Sequence, residues 1–461
     1  MPDIEDDLVE LAKQQAGRDY PTPSFLPRKP IPNIGLERLE GTRYFDPSFY
    51  EAEWEHIFTK TWQVAVHEDD LPENGSFFVY DLGRESFLFT RDKEGVVRGF
   101  YNVCQHRGNI LIQAQEGIID TFTCPFHGWQ WHIDGTLKDV AAPELFRQFD
   151  DGIPVDELGL VPVRTEKWGG WYWLNMDDEA MPLKDYLSEL GEHLEPYELD
   201  NWTLMDVQTF EWKGNWKHAV DAFNESYHFA ALHPDMIEFG EGHDIPIELI
   251  GIHSRMLNYN STVSELVDDR ETMTELREHM MGRRLSPGAP DFEGAAKDRH
   301  LAIIDYKRSI EGDTYLPYDK LNDEQLVHQY HYTFFPNATF TLAPEGGVVF
   351  RYRPHASDPN ICYYDFMIIA HLPPGTPKRD IDRQVHSHGS PEHYANAFDG
   401  TFDPILANVL QQDGSNMETM QRGVQSRGFK GMILSDQEVR LRHFHQVVDK
   451  FISGELTARG E

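Results

Sequence analysis

The sequence predicts an α+β chain in which a small all-β module is inserted into a larger mixed domain. Three observations carry this. Between Trp62 and Asn175, short β-rich segments such as SFFVYDL, SFLFTR and WYWLN are separated by Gly, Asp and Asn turns. After Asp177 the pattern turns helical, most clearly in DYLSELGEHLEPY and from Trp216 to Leu232. Strands return at 330–371, and a last helix follows in EVRLRHFHQVVDKFI.

The elements follow in chain order. Residues 1–40 join an acidic start, MPDIEDDLVE, to a Pro-rich stretch, YPTPSFLPRKPIPN, which predicts an extended arm. Phe49 to Lys60 reads as a short helix with Trp54, Ile57 and Phe58 on one face. The stretch 263–328 is charged and mixed, with an SPGAPD turn at 286–291, and reads as an irregular insertion or lid. Next come QYHYTFFPNATFTL, GGVVFRYRP and ICYYDFMIIAHL, where Tyr330, Tyr332 and Phe334 alternate as in a half-buried strand. The last helix carries Val439, Phe444, Val447, Val448 and Phe451 on its apolar face. The expected boundaries are 1–57 for the arm and the start of the larger domain, 58–176 for the β module and 177–461 for the remainder.

Composition narrows the function. The chain has 461 residues, 41 Lys+Arg and 78 Asp+Glu, a formal net charge of −37. Such a surface repels phosphate backbones and anionic membranes, so no nucleic acid and no membrane is expected as a partner. With 40% hydrophobic and 12% aromatic residues the chain is globular. No apolar run approaches the length of about 18 residues that a membrane helix needs. The N-terminus lacks the basic and apolar regions of a signal peptide, so a cytoplasmic location is the expectation. The three cysteines, Cys104, Cys124 and Cys362, do not make a disulfide scaffold. Cys362 has no histidine nearby and reads as an inert strand or core cysteine.

Cys104 and Cys124 each have a histidine close by, in Cys104-Gln-His106-Arg-Gly and Cys124-Pro-Phe-His127-Gly-Trp. Two such short loops bring two thiolates and two imidazoles to one place. Zinc accepts that set, and so does a 2Fe–2S cluster with two Cys on one iron and two His on the other. The flanks separate the two: CQHRG and CPFHGW match the signature loops of Rieske proteins. Gly108 and Gly128 let the backbone approach a cluster, and Pro125 stiffens the second loop. Trp129 and Trp131 are expected to pack beside it.

A second group lies in NWKHAVDAFNESYHFAALHP, where His228 and His233 are five residues apart. On a continuous helix that spacing turns the side chains about 140° apart, so a shared metal requires the helix to end or bend, as Pro234 allows. Downstream of the Rieske loops, Y-H-x4-H-P resembles the iron motif of the Rieske non-haem iron oxygenases, the ring-hydroxylating oxygenase α subunits. The resemblance is strong at 58–176, good at 205–240 and 400–450, and weak at 1–40 and 255–325.

The resemblance implies a Rieske domain inserted in a helix-grip catalytic domain, an antiparallel sheet wrapped around a long helix. It implies two cofactors: a Rieske 2Fe–2S cluster on Cys104, His106, Cys124 and His127, and a mononuclear Fe(II) on His228, His233 and a distant aspartate. Asp413, in VLQQDGSNMETMQRG, matches by position, whereas Asp403 and Asp436 read as helix caps. Glu225 stands where family members place a carboxylate, most often Asp, that bridges to the neighbouring subunit's cluster. Glu in this place and the E-x-Y-H form look more like the branch that oxidises quaternary amines. Asp221, four residues earlier, is a second acidic candidate for catalysis.

The implied activity is O₂-dependent dihydroxylation, monohydroxylation or oxidative demethylation of a small, hydrophobic or aromatic substrate. The alternatives are monooxygenation of a quaternary amine and a Rieske electron-transfer protein without oxygenase activity. The implied partners are a ferredoxin and/or an NAD(P)H-dependent reductase, in a homotrimer or an α₃β₃ assembly with a small β subunit. Arg107, Arg164 and Lys167 are candidates for a basic docking patch. Phe223, Asn224, Phe229, Leu232, Phe334, Phe335 and Phe350 are candidates for the substrate pocket.

Overall fold

The computed structural model describes residues 31–282, 285, 289, 291–377, 380–387 and 403–459. The arm expected at 1–40 lies outside these as far as residue 30, and so does most of the SPGAPD turn. The chain forms two compact units. The smaller comprises Trp54–Tyr186, Pro354–Asp358 and the described residues from Thr457 onward. The larger comprises the described residues up to Glu53 and those of Leu187–Arg353 and Pro359–Leu456.

The smaller unit holds β1 (Gln63–His67), β2 (Ser76–Leu82), β3 (Glu85–Arg91), β4 (Val97–Tyr101), β5 (Glu116–Ile118), β6 (Thr121–Thr123), β7 (Gln130–His132), β8 (Leu137–Asp139), β9 (Pro162–Trp168) and β10 (Trp171–Asn175). Seven strands pair in the order β1-β10-β9-β4-β3-β2-β5, and β6-β7-β8 form a second, short sheet. The β2–β3 hairpin closes Leu82 on Glu85 around Gly83, whose φ of +55° fits the tight turns that hairpins prefer. Phe77, Leu88, Phe100, Phe122 and Trp131 form the core of this unit, and Cys104, Cys124 and Trp129 belong to the same cluster.

The larger unit is built on nine strands: β11 (Thr203–Trp212), β12 (Gly240–Glu241), β13 (Ile247–Ile250), β14 (His253–Asn260), β15 (Gln329–Phe334), β16 (Ala338–Ala343), β17 (Gly346–Pro354), β18 (Cys362–Ala370) and β19 (Asp382–His386). The order is β12-β14-β15-β16-β17-β18-β11-β19, with β13 on β14. All pairings given for it are antiparallel except β11 with β19. Four helices matter for the site: α1 (Trp216–Phe223), α2 (Phe229–Leu232), α3 (Pro404–Val424) and α4 (Val439–Ser453). The expected apolar residues of α4 are all buried, and its Phe444 meets Trp216 of α1 and Phe335 of the β15–β16 turn.

The structure departs from the sequence expectations in four places. QYHYTFFPNATFTL is a hairpin, β15 and β16, and not one strand. β15 is buried on both faces from Tyr330 onward, because Tyr330 and Tyr332 pack on His193 while His331 and Thr333 face the other way. The stretch 263–328 contains the helices Glu275–Gly282, Arg299–Ser309 and Asp323–Val327. Its periodicity is hidden because the buried face of the second of these carries Arg299, His300 and Lys307 beside Ile303 and Ile304. The helix expected from Trp216 to Leu232 breaks after Phe223, and the break shapes the site.

Candidate metal centres

The two Cys–His loops of the smaller unit share one backbone plan. Cys104 N–H donates to the Asn109 carbonyl and Gly108 N–H to the Cys104 carbonyl. Cys124 N–H donates to the Trp129 carbonyl and Gly128 N–H to the Cys124 carbonyl. Each loop turns at a glycine in the left-handed region, Gly108 at φ +73° and Gly128 at +74°, where an L side chain is strained. Both thiols are buried, at 3% and 1% exposure, beneath an exposed rim of Arg107, Pro125 and Phe126. Burial, with Cys124 alongside, pushes the Cys104 thiol above the ordinary range.

The His106 and His127 rings lie 4.5 Å apart between centroids, and the Trp129 ring stacks on His106 at 4.7 Å. His106 Nδ1 is buried and has no hydrogen-bond partner among the described residues. Burial holds His106 below its ordinary pKa, adding to the repulsion of His127. Two buried thiols and two imidazoles, one with an orphaned nitrogen, are a donor set that fits a mixed Cys/His cluster.

The second centre forms where the helix breaks. Asn224 to Tyr227 are non-helical, α2 is a single turn, and His228 and His233 flank it on either side. The 140° that a continuous helix would impose is thereby cancelled. His228, His233 and Asp413 bring one donor atom each within 4.8 Å of one another, the one such group of three or more His, Cys, Asp or Glu among the described residues. Asp413 is buried at mid-length of α3. Its Oδ1 lies 3.1 Å from His233 Nε2 and 3.7 Å from His228 Nε2.

The opposite ring nitrogens are held. His228 Nδ1 donates to Glu225 Oε1 at 2.5 Å, and His233 Nδ1 donates to Gln412 Oε1 at 2.7 Å. Both Nε2 lone pairs are thereby left for a metal. Burial works against the His228 imidazolium, but the Glu225 hydrogen bond and charge outweigh it, so its pKa is raised. Glu225 does not share a helical face with His228, because it lies before α2. Its Oε2 instead accepts the His228 N–H at 3.2 Å, so the contact is local and does not depend on helix periodicity.

A cavity of about 940 Å³ opens over this group. Glu225, His228, His233 and Asp413 all line it. Phe223, Phe229, Phe350 and Phe366 supply aromatic wall, and Asn258, Gln329, His331, Thr341 and Glu345 supply polar wall. Of the expected pocket residues, Asn224, Leu232, Phe334 and Phe335 are elsewhere. Asn224 bonds Thr333 Oγ1, Leu232 is half-buried outside the cavity lining, Phe334 packs on Phe340, and Phe335 stacks on Phe451.

Other expected residues resolve as follows. Asp221 does not line the cavity. It is buried, accepts from Tyr44 Oη at 2.5 Å and pairs with His445 Nε2 at 3.1 Å, so it belongs to a polar network behind α1. Asp403 caps α3 through the Ile405 N–H. Ser435, and not Asp436, caps the turn leading into α4, in a capping box with Glu438. Cys362 is buried opposite Trp212. In the basic patch, Arg164 pairs with Glu166 and Lys167 with Glu68, while Arg107 is exposed with its guanidinium over Phe126. Gln412 was missed by sequence reasoning, although its place beside Asp413 was a usable signal. The polar wall was missed too, since only strand pairing shows which alternate residues face the cavity.

Residues 199–454 match the family described as ring hydroxylating alpha subunit (catalytic domain), and residues 61–150 match the Rieske [2Fe-2S] domain. The glycine betaine monooxygenase oxygenase subunit of Pseudomonas aeruginosa is 30% identical over 195 residues, 42% of this chain and 44% of that one. The anthranilate 1,2-dioxygenase large subunit of Acinetobacter baylyi is 31% identical over 209 residues, 44% of each. The match thus spans less than half the length of these curated relatives. A quaternary ammonium Rieske monooxygenase structure shares the fold at a TM-score of 0.66 and 19% identity, over 92% of this chain and 98% of that one. With its catalytic-domain match covering more than half its length, this chain belongs to the ring-hydroxylating oxygenase α-subunit family and carries that family's Rieske domain.

Proposed function

We propose that this chain is the oxygenase component of a multicomponent system that oxidises a small organic substrate with O₂. The observation that carries the reading is the group His228, His233 and Asp413 opening onto the 940 Å³ cavity. Two neutral imidazoles and one carboxylate leave positions free on a bound metal, the pattern of non-haem Fe(II) oxygenases. Iron bound there would supply O₂ activation, and a Rieske cluster would supply electrons singly.

The chain's own residues do the rest. Cys104, His106, Cys124 and His127 would hold the cluster, and Trp129 covers one of its histidines. Glu225 and Gln412 fix the tautomers of the two iron histidines. Glu225 would also connect this centre to the cluster of a neighbouring subunit, in a homotrimer or an α₃β₃ assembly. A ferredoxin and/or an NAD(P)H-dependent reductase would feed the cluster, with Arg107 at the docking rim. The aromatic wall formed by Phe223, Phe350 and Phe366 would exclude water and seat a hydrophobic or aromatic substrate.

A second reading is monooxygenation of a quaternary amine. Aromatic faces also attract a quaternary ammonium. The glycine betaine and quaternary ammonium relatives share that chemistry by name.

The test is iron content and O₂ uptake. The purified protein should hold roughly three irons per chain, two in the cluster and one at the histidines. It should consume O₂ in response to some member of a panel of aromatic, terpenoid and quaternary-amine compounds. His228→Ala should lose that uptake and keep the red-brown cluster spectrum. A fully assembled protein with two irons per chain and no uptake would leave electron transfer as its role.

A further inference from the structure

One buried positive charge behind the cavity wall has no counter-charge among the described residues. Arg440 of α4 is fully buried, and its guanidinium donates to Ser254 Oγ at 3.0 Å, Thr333 Oγ1 at 2.6 Å and His331 Nδ1 at 3.3 Å. These partners are neutral, and no carboxylate pairs with Arg440 among the described residues. Burial draws its pKa down to about 9, which leaves it cationic at neutral pH.

The cavity's own carboxylates are each answered. Glu225 bonds His228, and Asp413 faces both metal-site histidines. Glu345 pairs with Lys307 Nζ and accepts from Tyr318 Oη. Asp403 bonds His279 and caps α3. Each cavity carboxylate thus has a partner, whereas the cation behind His331 meets only neutral groups among the described residues.

Arg440 fixes what His331 can do. A guanidinium only donates, so His331 Nδ1 accepts and the ring proton sits on Nε2. Burial, reinforced by Arg440, keeps the ring neutral by holding its pKa well below the ordinary range. His331 is 4% exposed and lines the cavity, and its Nε2 has no hydrogen-bond partner among the described residues. Its sheet neighbours Met256 on β14 and Thr341 on β16 line the same cavity. The Nε2–H is therefore available to an acceptor that enters the cavity.

We propose that His331 Nε2–H, backed by Arg440, anchors a carboxylate of the substrate, so that this site takes carboxylate-bearing molecules. A carboxylate provides both the acceptor that Nε2–H lacks and the anion that Arg440 lacks. A neutral carbonyl or alcohol would provide only the first. The proposal rests on the oxygenase reading for the cavity being the substrate site.

The test is calorimetric binding to the holoenzyme without O₂, using two matched pairs of probes: benzoate against benzyl alcohol, and glycine betaine against choline. In at least one pair the carboxylate should bind about tenfold tighter or better, the range of a hydrogen bond to a charged group. His331→Phe should abolish that preference, weakening the carboxylate partner by about tenfold more than the alcohol partner. His331→Gln, which keeps an N–H donor, should restore much of it. Equal affinity within both pairs, no measurable carboxylate binding, or equal loss for both members of the responsive pair in His331→Phe would overturn the anchor. Because binding is read without turnover, that failure is distinct from a failure of the oxygenase reading, which shows in iron content and O₂ uptake.

Discussion

Gln412 Oε1 accepts the Nδ1 proton of His233 at 2.7 Å, on the side of the ring opposite the nitrogen that meets Asp413. Adjacent residues of α3 thus contribute one contact to each nitrogen of a single imidazole. Gln412 sets which nitrogen carries the proton, and Asp413 shares the space into which the free lone pair points.

Removing that support should loosen the iron without removing any ligand. Gln412→Ala is expected to weaken iron binding by about 10- to 100-fold, the usual cost of losing a group that orients a ligand histidine. Competition with a chelator measures it, with the cluster spectrum as the internal control. Asp413→Ala should leave the cluster loaded and the second site empty. Unchanged iron retention in Gln412→Ala would mean that the amide does not hold the tautomer.

Glu225 makes a different prediction, because it touches His228 twice. Glu225→Gln keeps an acceptor for the His228 N–H and loses the charge on Nδ1. Iron should stay bound. Oxidation of the reduced cluster, followed by stopped-flow with substrate and O₂, should slow by about 10- to 100-fold, and more in Glu225→Ala. Iron loss equal to that of Asp413→Ala would instead make Glu225 a structural requirement of the site.

The parts of these centres that were legible in the sequence are the local ones. Cys104 with His106, Cys124 with His127 and Glu225 with His228 are each set by a loop of a few residues, so spacing alone brings them together. Asp413 is remote and was reached only through family resemblance. His331 and Arg440 were not legible. Alternation along β15 separates two faces, but it does not reveal that α4 covers one of them. The helix Arg299–Ser309 was hidden for a related reason: its buried Lys307 is paired with Glu345, and such pairing lets polar residues occupy core positions that a hydrophobicity pattern would exclude.

Lys217 and Glu53 form an ion pair at 2.6 Å in which both side chains are fully buried. Burial pulls Lys217 down and pushes Glu53 up, so their attraction does not fully offset desolvation. Breaking the pair is therefore worse than replacing it. Lys217→Met should cost about 3–5 kcal/mol in urea unfolding, and adding Glu53→Leu should recover much of that. Additive losses in the double variant would show that the two charges are not coupled.

His300 gives the pH prediction. It lies in the helix Arg299–Ser309, its ring donates to the Lys297 carbonyl at 3.0 Å, and burial lowers its pKa to about 4. In the unfolded chain the same imidazole titrates near 6.5. Below that value the unfolded state takes up a proton that the folded state refuses. The contribution to stability is therefore fully present above about pH 6.5 and is lost as pH falls toward about 4, in all roughly 3 kcal/mol. His300→Gln keeps an N–H donor for Lys297 and removes the titration. Between pH 7.5 and pH 5 the unaltered protein should lose about 2 kcal/mol more unfolding free energy than His300→Gln. The other buried histidines titrate alike in both proteins, so they cancel in the difference. Parallel losses in the two proteins would mean that the folded state accepts the His300 proton as readily as the unfolded chain does.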